Sequence, residues 1–291
     1  MKKPSHATSN IPHPKSDLQG KGLRPKNSFG QNFLSDEHHQ NTIAHIAALG
    51  GSNDSPIVEW GAGLGALTRQ LLARTKCVHA VERDRDLVPI LASTFANEIK
   101  EGRLVLHEAN ATTFPVEDLI AGSTGAKFKL CGNLPYHLTS SLLFRTLELA
   151  PLLDHASFLI QLDVAKRIEA GPGNRTYGLL SVLLQSRFDV DLAHIVPRDA
   201  FWPAPKVDGG VIRLIPKASD PLSKEEREYL TTLVKAAFQK RRKTLRNALS
   251  GYEGLEAAMG EMGLSSKQRA ETIRVEEYIK LAQKLFSIEH G

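Results

Sequence analysis

Short apolar runs alternate with amphipathic stretches along the middle of the chain. Five runs have the length and composition of buried strands, at residues 57–59, 78–82, 104–107, 128–131 and 156–161. Between them, apolar residues recur at helical spacing, for example over residues 66–73 and 87–99. Because strands and helices that alternate at this pitch form parallel sheets, the pattern predicts an α/β fold with helices on both faces of the sheet.

Two later runs and the last quarter of the chain depart from this alternation. Residues 189–196 and 209–214 are strand-like, but a proline-rich loop rather than a helix separates them. That arrangement predicts an antiparallel hairpin at one edge of the sheet. Residues 222–249 and 266–286 are typical of helices, with glycines between them and no strand-like run. We therefore expect a small all-helical domain at the end of the chain.

Composition divides the chain into three regions. Residues 1–24 combine Lys, Ser, His, Asn and Pro without periodicity, which predicts a flexible basic arm. Residues 25–216 hold the strand-like runs and form the predicted α/β domain. Residues 217–291 form the predicted helical domain.

The overall composition is that of an ordinary globular protein, since 41% of the 291 residues are hydrophobic and 24% are charged. No apolar run reaches the roughly 18 residues that a membrane-spanning helix needs, so we expect no membrane partner. The two cysteines, Cys77 and Cys131, form no Cys-x-x-Cys motif and offer neither a disulfide framework nor a zinc cluster. Residues 1–27 lack the apolar segment of a signal peptide. These features predict a cytoplasmic protein without a metal.

Positive charge is concentrated in two segments. The formal net charge is +5, and residues 1–27 account for all of it with six basic residues and one acidic residue. Residues 235–249 hold six further basic residues and no acidic one. Segregated basic patches of this kind attract polyanions such as nucleic acids.

A glycine-rich loop follows the first strand of the predicted sheet, where Gly61, Gly63 and Gly65 precede a helix. Glycines let a ligand approach the backbone closely, and a helix N-terminus favours an anionic group. Glu82 ends the next strand, where its carboxylate can accept hydrogen bonds from both hydroxyls of a ribose. Together these features predict a nucleoside cofactor, although the glycine spacing alone also satisfies the dinucleotide fingerprint of oxidoreductases.

The segment Asn133-Leu134-Pro135-Tyr136 follows the fourth strand. Proline cannot continue a β-ladder, so the chain leaves the sheet here, at the carboxyl edge where ligands of open α/β sheets bind. The side-chain oxygen of Asn133 and the carbonyl of Leu134 can accept the two N–H groups of an adenine amine, which directs the nitrogen lone pair toward an electrophilic methyl group. Tyr136 can stack on the base. We predict that these four residues form the catalytic segment.

Several segments, in their order along the chain, closely resemble the KsgA/RsmA family of ribosomal RNA small-subunit adenine dimethyltransferases. The resemblance runs from about Arg24 to the C-terminus. It rests on FGQNFL at residues 29–34, the glycine loop, Glu82, NLPY at 133–136, QLDVAKR at 161–167, YGLLSV at 177–182, FWPAPKVD at 201–208 and FQKRRKTLRN at 238–247. It implies a Rossmann-like, seven-stranded class I methyltransferase domain followed by a small all-helical C-terminal domain.

The resemblance also implies a reaction and a partner. Members of this family use S-adenosylmethionine to dimethylate two adjacent adenosines in the 3′-terminal hairpin loop of 16S ribosomal RNA. The implied partner is therefore 16S ribosomal RNA within the immature small ribosomal subunit.

Six cofactor-binding residues follow from the same resemblance, namely Asn32, Leu34, Gly61, Glu82, Asn110 and Asn133. Gly61 is expected against the methionine part, Glu82 on the ribose, and Asn133 between cofactor and target. Asn110 stands where the family usually has Asp. Its oxygen can still accept a hydrogen bond from an adenine amine, so we expect retained but weaker binding. Trp60 and the pair Leu162-Asp163 also depart from the family pattern, which has a small aliphatic residue and Lys-Glu.

The basic run near the C-terminus lies on a predicted helix, where Arg242 and Arg246 share a face. We predict that this run binds RNA phosphates through Lys240, Arg241, Arg242, Lys243 and Arg246. Lys206 and Arg167 are weaker candidates for the same role.

Other functions remain open at this point. A ribosomal RNA adenine methyltransferase of the antibiotic-resistance type would act on the large subunit, and the match at residues 238–247 disfavours it. A non-catalytic assembly factor would bind pre-ribosomal RNA without methylating it, which the departures at Asn110 and Leu162 leave possible. A dinucleotide oxidoreductase is disfavoured because the chain supplies no site for hydride transfer.

Overall fold

The computed structural model describes residues 13–26, 29–51, 54–120 and 127–290 of the chain. Its strands are β1 (Phe33–Leu34), β2 (Ile57–Trp60), β3 (Val78–Glu82), β4 (Leu104–Glu108), β5 (Phe128–Asn133), β6 (Leu153–Gln161), β7 (Phe188–Val196), β8 (Phe201–Trp202) and β9 (Gly209–Pro216). Its α-helices are α1 (Pro14–Gly20), α2 (Glu37–Ala48), α3 (Ala66–Leu72), α4 (Val88–Thr94), α5 (Ala96–Lys100), α6 (Thr139–Leu149), α7 (Leu162–Glu169), α8 (Leu179–Gln185), α9 (Lys224–Gln239), α10 (Leu245–Ala248), α11 (Leu255–Glu261) and α12 (Val275–His290). Short 3₁₀ turns occupy Val116–Ile120, Ala150–Leu152, Arg198–Ala200 and Ala270–Thr272.

Within the described residues, a seven-stranded sheet has the order β4-β3-β2-β5-β6-β9-β7. The strands from β4 to β6 are parallel, whereas β9 runs antiparallel to both β6 and β7. The predicted parallel sheet and edge hairpin are therefore confirmed. The chain order reverses at the boundary between β2 and β5, and open α/β sheets bind ligands beyond the carboxyl ends of the strands at such a point.

Helices cover both faces of the sheet, as predicted. The helices α2, α3 and α4 share a hydrophobic cluster with one face, and α6, α7 and α8 share another with the opposite face. The central strands β2 and β5 are buried along almost their whole length. Burial on both faces explains why these strands are continuous apolar runs rather than alternating ones.

A second, smaller pairing fixes the segment that precedes α2. Strand β1 runs antiparallel to β8, with Phe33 opposite Trp202 and Leu34 opposite Phe201. This pairing brings together two of the motif segments, residues 29–34 and 201–208, which are far apart in the sequence. Both segments consequently border the carboxyl end of the sheet.

The region after β9 is helical, as predicted. The helices α9 to α12 share a hydrophobic cluster with α8 and with Tyr177 of the α/β region. The hydroxyl of Tyr177 donates a hydrogen bond to the carbonyl of Ile273 at 3.0 Å. In the part of the chain that the structure describes, no helix combines the length and apolar character needed to cross a bilayer.

The prediction of one continuous helix over residues 222–249 is wrong. Helix α9 ends at Gln239, the chain turns over residues 240–243, and the hydroxyl of Thr244 caps the short helix α10. Threonine is a preferred N-cap residue, and in a continued helix like charges would be neighbours at Lys240 and Lys243 and at Arg242 and Arg246. Residues 240–243 of the basic run therefore lie on a turn, whereas Arg246 lies on α10, so the run does not form one helix face.

The prediction of a flexible arm over residues 1–24 is also wrong in its second half. Residues 1–12 lie outside the described part of the chain, but α1 starts at Pro14, where the His13 ring accepts a hydrogen bond from the N–H of Lys15. Leu18 is buried in a cluster with Phe33 and Ile90. Two leucines five positions apart, Leu18 and Leu23, give no helical periodicity in a polar segment, so the pattern did not indicate this contact.

Candidate active site

A cleft opens at the carboxyl ends of β2, β3, β4 and β5. Its volume is about 790 Å³ when the solvent-filled space at its open mouth is counted. Its walls hold all of the predicted catalytic and cofactor-binding residues except Leu34, namely Asn32, Gly61, Glu82, Asn110, Asn133, Leu134, Pro135 and Tyr136. Among the described residues, no group of three or more His, Cys, Asp and Glu side chains is placed to hold a metal ion.

The glycine loop leaves room for a ligand between β2 and β5. Gly61 has a φ of +76°, which side chains rarely adopt, and a Cβ atom there would lie 3.6 Å from the carbonyl oxygen of Asn133. Gly65 has a φ of +81° and begins α3. Residues with side chains would strain this turn and fill the space beside Asn133. The site thus provides the close backbone approach that the sequence predicted.

Glu82 is held by the backbone at the end of β3 and is 8% exposed. Its two carboxylate oxygens accept hydrogen bonds from the N–H groups of Gly63 and Asp84, each at 2.7 Å. Burial raises the pKa of the Glu82 carboxyl, and the hydrogen bonds from these N–H groups act in the opposite direction. Because a carboxylate has about four acceptor sites, both oxygens can still accept from the hydroxyls of a ribose.

Asn110 lies directly after β4 and lines the cleft. Its side-chain oxygen accepts the N–H of Thr112 at 3.2 Å, so the residue is held in a tight turn. The side-chain nitrogen has no hydrogen-bond partner within the described residues. This position therefore presents a neutral amide to the cleft, which can both donate and accept hydrogen bonds.

The segment from Asn133 to Tyr136 carries two unused acceptors. The side-chain nitrogen of Asn133 donates to the carbonyl of Asn32 at 3.0 Å, which leaves its side-chain oxygen without a partner in the described structure. The N–H of Leu134 donates to the carbonyl of Leu159 at 3.0 Å, and no described donor reaches the carbonyl of Leu134. The two oxygens predicted to receive the target amine are thus both available.

Pro135 and Tyr136 shape the exit from the sheet. The carbonyl of Pro135 accepts from the N–H of Leu138 at 2.9 Å and from the hydroxyl of Thr139 at 3.2 Å, which turns the chain into α6. The Tyr136 side chain is half-buried in the cleft wall. Burial raises the pKa of its phenol, and the charge of Asp163 raises it further. The phenol is therefore neutral at physiological pH.

Leu34 occupies a different place from the other predicted cofactor residues. It lies in β1 and is 5% exposed, and its carbonyl accepts a hydrogen bond from the side chain of Gln40 at 2.9 Å. It lines a smaller hollow beside the cleft, which it shares with Gly61 and Asn133. The structure therefore places Leu34 behind the cleft wall.

Asp84 holds the N-terminal segment against the cleft, a role that the sequence did not indicate. Lys26 contacts it at 2.5 Å, and the side chain of Gln31 donates to it at 2.7 Å. Burial alone would raise the pKa of Asp84, but these contacts and the N–H of Asp86 outweigh it, so the pKa is lowered. Because 58 positions separate Lys26 from Asp84, no local pattern could reveal the contact.

Glu59 is a second acidic residue that the sequence did not single out. It is 1% exposed in β2 and accepts a hydrogen bond from the hydroxyl of Thr68 at 2.6 Å. Burial raises the pKa of its carboxyl to about 7, and the nearby charge of Glu82 adds to the effect. It lines the same smaller hollow as Leu34. A second carboxyl thus lies directly behind the glycine loop.

The five predicted RNA-binding residues do not form one uniform surface. Arg246 is paired with Glu256 at 2.6 Å. Arg241 donates to the carbonyl of Arg175 at 2.5 Å. In the described part of the chain, no ion pair involves the other three residues, which are Lys240, Arg242 and Lys243. These three on the turn between α9 and α10 are therefore the cations available to a polyanion.

Comparison with known sequences identifies close relatives. A family model described as ribosomal RNA adenine dimethylase matches residues 22–286. The chain is 41% identical to the ribosomal RNA small subunit methyltransferase A of Anaeromyxobacter sp. (strain K), in an alignment of 291 positions that covers 96% of this chain and 99% of that protein. It is 40% identical to the protein of the same name from Herminiimonas arsenicoxydans over 261 residues, which cover 90% and 98% of the two chains.

Solved structures share the architecture. The 23S rRNA methyltransferase ErmE is 27% identical with a TM-score of 0.65, over 88% of this chain and 100% of that one. A dimethyladenosine transferase from Plasmodium falciparum is 23% identical with a TM-score of 0.70, over 88% and 98% of the two chains. The predicted Rossmann-like, seven-stranded methyltransferase fold with a helical C-terminal region is therefore confirmed.

Proposed function

Because the chain belongs to the ribosomal RNA adenine dimethylase family, we propose that it dimethylates two adjacent adenosines in the 3′-terminal hairpin loop of 16S ribosomal RNA. The chain is a ribosomal RNA adenine dimethyltransferase. The proposal adds the RNA species, the pair of target bases and the immature small ribosomal subunit as the substrate particle. Such a substrate implies a cytoplasmic enzyme.

S-adenosylmethionine fits the cleft as the methyl donor. When bound, it supplies a methyl group on a positively charged sulfur, which is strongly electrophilic. Glu82 has acceptor capacity for the ribose hydroxyls, Asn110 offers an amide for the adenine, and Gly61 leaves space for the methionine part beside Asn133. The charges of Glu82 and of the cofactor are opposite, which further favours binding.

The two unused oxygens beside the cleft support the assignment of adenine as the acceptor. The amine of adenine is planar and weakly nucleophilic because its lone pair is delocalised into the ring. The side-chain oxygen of Asn133 and the carbonyl of Leu134 can accept its two N–H groups and favour the pyramidal form of the nitrogen. No strong base is needed, because the nitrogen becomes acidic only after it has gained its new substituent.

Tyr136 completes the proposed acceptor site. Its ring stands on the same segment as the two oxygens and lines the same cleft. A base that is extruded from a hairpin loop is stabilised by stacking on an aromatic side chain. Since the phenol of Tyr136 is neutral, it adds no charge beside the base.

The most informative single observation is that the carboxyl ends of four neighbouring strands bring the glycine loop, Glu82, Asn110 and the free oxygens of residues 133–134 into one cleft. The relatives named for the small subunit are more similar to this chain than the solved 23S rRNA enzyme. The difference in identity favours a small-subunit adenine methyltransferase over the large-subunit enzyme.

The test is methyl transfer in vitro with isotopically labelled S-adenosylmethionine. Small subunits isolated from cells that lack the two dimethyladenosines should gain up to four methyl groups, because each of two adenines accepts two. Large subunits serve as the control and should gain none. Label on the large subunit would support the resistance-type activity, and binding to small subunits without transfer would support a non-catalytic assembly factor.

A further inference from the structure

A second hollow adjoins the catalytic segment at the end of β6. Its volume is about 840 Å³ when the solvent-filled space at its open mouth is counted. Its walls are Leu162, Asp163, Lys166, Arg198, Lys206, Val207 and Asp208. In the register of the sheet, Leu159 of β6 lies opposite Asn133 of β5, and the hollow starts three residues further along the chain. Its position is therefore one strand away from the proposed acceptor site.

Three cations from separate segments converge on this hollow. Lys166 comes from α7, whereas Arg198 and Lys206 come from the connection between β7 and β9. All three side chains are exposed. Within the described residues, no ion pair involves any of them. Their charge is consequently free to meet an anion.

Two carboxylates also line the hollow but leave it with a net positive charge. Asp208 accepts a hydrogen bond from the N–H of Arg198 at 2.9 Å, so it is engaged with the backbone. Asp163 is exposed, and its charge acts on the phenol of Tyr136. Asp163, which lines the hollow, is therefore close enough to Tyr136, which lines the cleft, for its charge to act there.

An exposed apolar side chain lies among these charges. Val207 is 37% exposed, although most large apolar side chains of this protein are buried. A free phosphate has no apolar surface for Val207 to contact, whereas the sugar of a nucleotide has one. A cationic hollow with an apolar wall thus matches a phosphate together with its sugar, rather than a free anion.

We propose that this hollow is a subsite for a phosphodiester of the RNA strand that adjoins the target adenine. Lys166, Arg198 and Lys206 hold the phosphate oxygens, and Val207 packs against the sugar. The proposal rests on the proposed function, because it requires a single-stranded RNA whose adenine enters the cleft. Contacts to phosphates position a strand without reading its sequence, so the subsite fixes the register of the target base.

The experiment uses the full-length protein and an RNA hairpin whose loop carries two adjacent adenines. The Lys166→Ala/Lys206→Ala variant is compared with wild type and with Lys100→Ala, an exposed lysine on α5. We expect the double variant to bind the RNA hairpin more weakly than wild type. A plot of the logarithm of its RNA association constant against the logarithm of the salt concentration should be less steep, by about 0.7 for each phosphate that the protein no longer neutralises. Lys100→Ala should behave as wild type, and all three proteins should bind S-adenosylmethionine equally. A wild-type slope for the double variant would overturn the proposal.

Two further arms locate the subsite on the RNA. In these RNAs, one phosphate of the loop at a time is replaced by an uncharged methylphosphonate. The affinity of the wild-type protein should fall most when the replaced phosphate lies beside a target adenine. The affinity of the double variant should not depend on the position of the replacement in this way. Asp163→Asn should strengthen RNA binding, because it removes a negative charge from the hollow. Equal losses at all loop positions, or the same profile in both proteins, would overturn the subsite.

Methyl transfer by the wild type is measured on the same hairpin and on immature small subunits. Transfer to either RNA together with unchanged slopes would refute the subsite and leave the proposed function intact. Absence of transfer to both RNAs would refute the proposed function itself, whatever the slopes.

Discussion

Asn133 is held by one end of its amide, and this leaves the other end for the target. Its nitrogen is engaged with the carbonyl of Asn32 at 3.0 Å, so its oxygen is both oriented and free. An acceptor that is oriented in advance stabilises the transition state without reorganisation. In the proposed mechanism, the hydrogen bond between the Asn133 oxygen and the target amine strengthens as the nitrogen becomes pyramidal. Removal of this hydrogen bond should therefore lower turnover and leave RNA affinity largely unchanged.

Replacement of Asn133 by Ala should therefore lower turnover by about 10² to 10³ at saturating S-adenosylmethionine and RNA. Affinity for the cofactor is measured in parallel, since the side chain also borders the glycine loop. Asn97→Ala, an exposed site on α5, serves as the control and should retain full turnover. A turnover within a few-fold of wild type would contradict the proposed role of Asn133.

The buried carboxyl of Glu59 should make stability depend on pH. Its pKa is raised to about 7 by burial, so between pH 4.5 and pH 7 the folded state keeps a proton that the unfolded state releases. Stability is therefore lost as the pH rises through this window. Glu59→Gln removes the titration and should gain about 2 to 3 kcal/mol relative to wild type between pH 5 and pH 8.

Denaturant unfolding at several pH values measures this effect. Glu253→Gln, at an exposed position in the helical region, is the matched control and should follow the wild-type curve. Parallel curves for wild type and Glu59→Gln would show that Glu59 does not titrate in this range.

The loop that follows β3 holds the N-terminal segment against the cleft through Asp84. Lys26 and the side chain of Gln31 both contact the carboxylate of Asp84, and residues 29–33 form one wall of the cleft. Asp84→Asn keeps the shape of the side chain but removes its charge. Because hydrogen bonds to charged groups contribute about 1.5 to 3 kcal/mol, S-adenosylmethionine affinity should fall by roughly ten- to a hundredfold.

Calorimetry provides the dissociation constant for this comparison. Glu261→Gln is the matched control, because it breaks a lysine contact of similar length, with Lys284 at 2.5 Å, far from the cleft. That variant should bind the cofactor as wild type does. An unchanged constant for Asp84→Asn would mean that the N-terminal segment is ordered by other contacts, such as those of α1.

The turn between α9 and α10 should contribute most of the electrostatic attraction of the helical region to RNA. The triple variant Lys240→Ala/Arg242→Ala/Lys243→Ala should reduce the salt slope of small-subunit binding by about 0.7 to 0.9 for each phosphate that the turn no longer neutralises. Arg246→Ala should change the slope less, because Glu256 already neutralises that side chain. Equal effects of both variants would restore the interpretation of one continuous basic face.

The sequence predicted best those features that depend on neighbouring residues. Apolar runs located the strands of the sheet, and a strand followed by glycines or by Pro135 located the cleft at their carboxyl ends. Features that depend on distant contacts escaped it. Burial of Leu18 and the pairing of Lys26 with Asp84 both arise from contacts that no local pattern encodes. The end of α9 at Gln239 has a local cause, the N-cap at Thr244, which the apolar spacing did not reveal.

For the whole molecule, we propose that the cleft and two basic surfaces, the hollow at the end of β6 and the turn between α9 and α10, contact different parts of one RNA. In this proposal the cleft and the segment from Asn133 to Tyr136 bind the base, and the turn binds phosphates at a distance from it. The departures at Asn110 and Trp60 leave this arrangement intact, since Asn110 lines the cleft and Trp60 is buried beside Phe158. A complete enzyme, rather than a binding factor alone, is the expected outcome.

Mass spectrometry of 16S ribosomal RNA from cells with and without the protein tests this expectation most directly. We expect N6,N6-dimethyladenosine in the 3′-terminal hairpin loop to be present in the first and absent from the second. It should return when the wild-type gene is restored, but not with Asn133→Ala. Dimethyladenosine that persists unchanged in cells without the protein would contradict the proposed function.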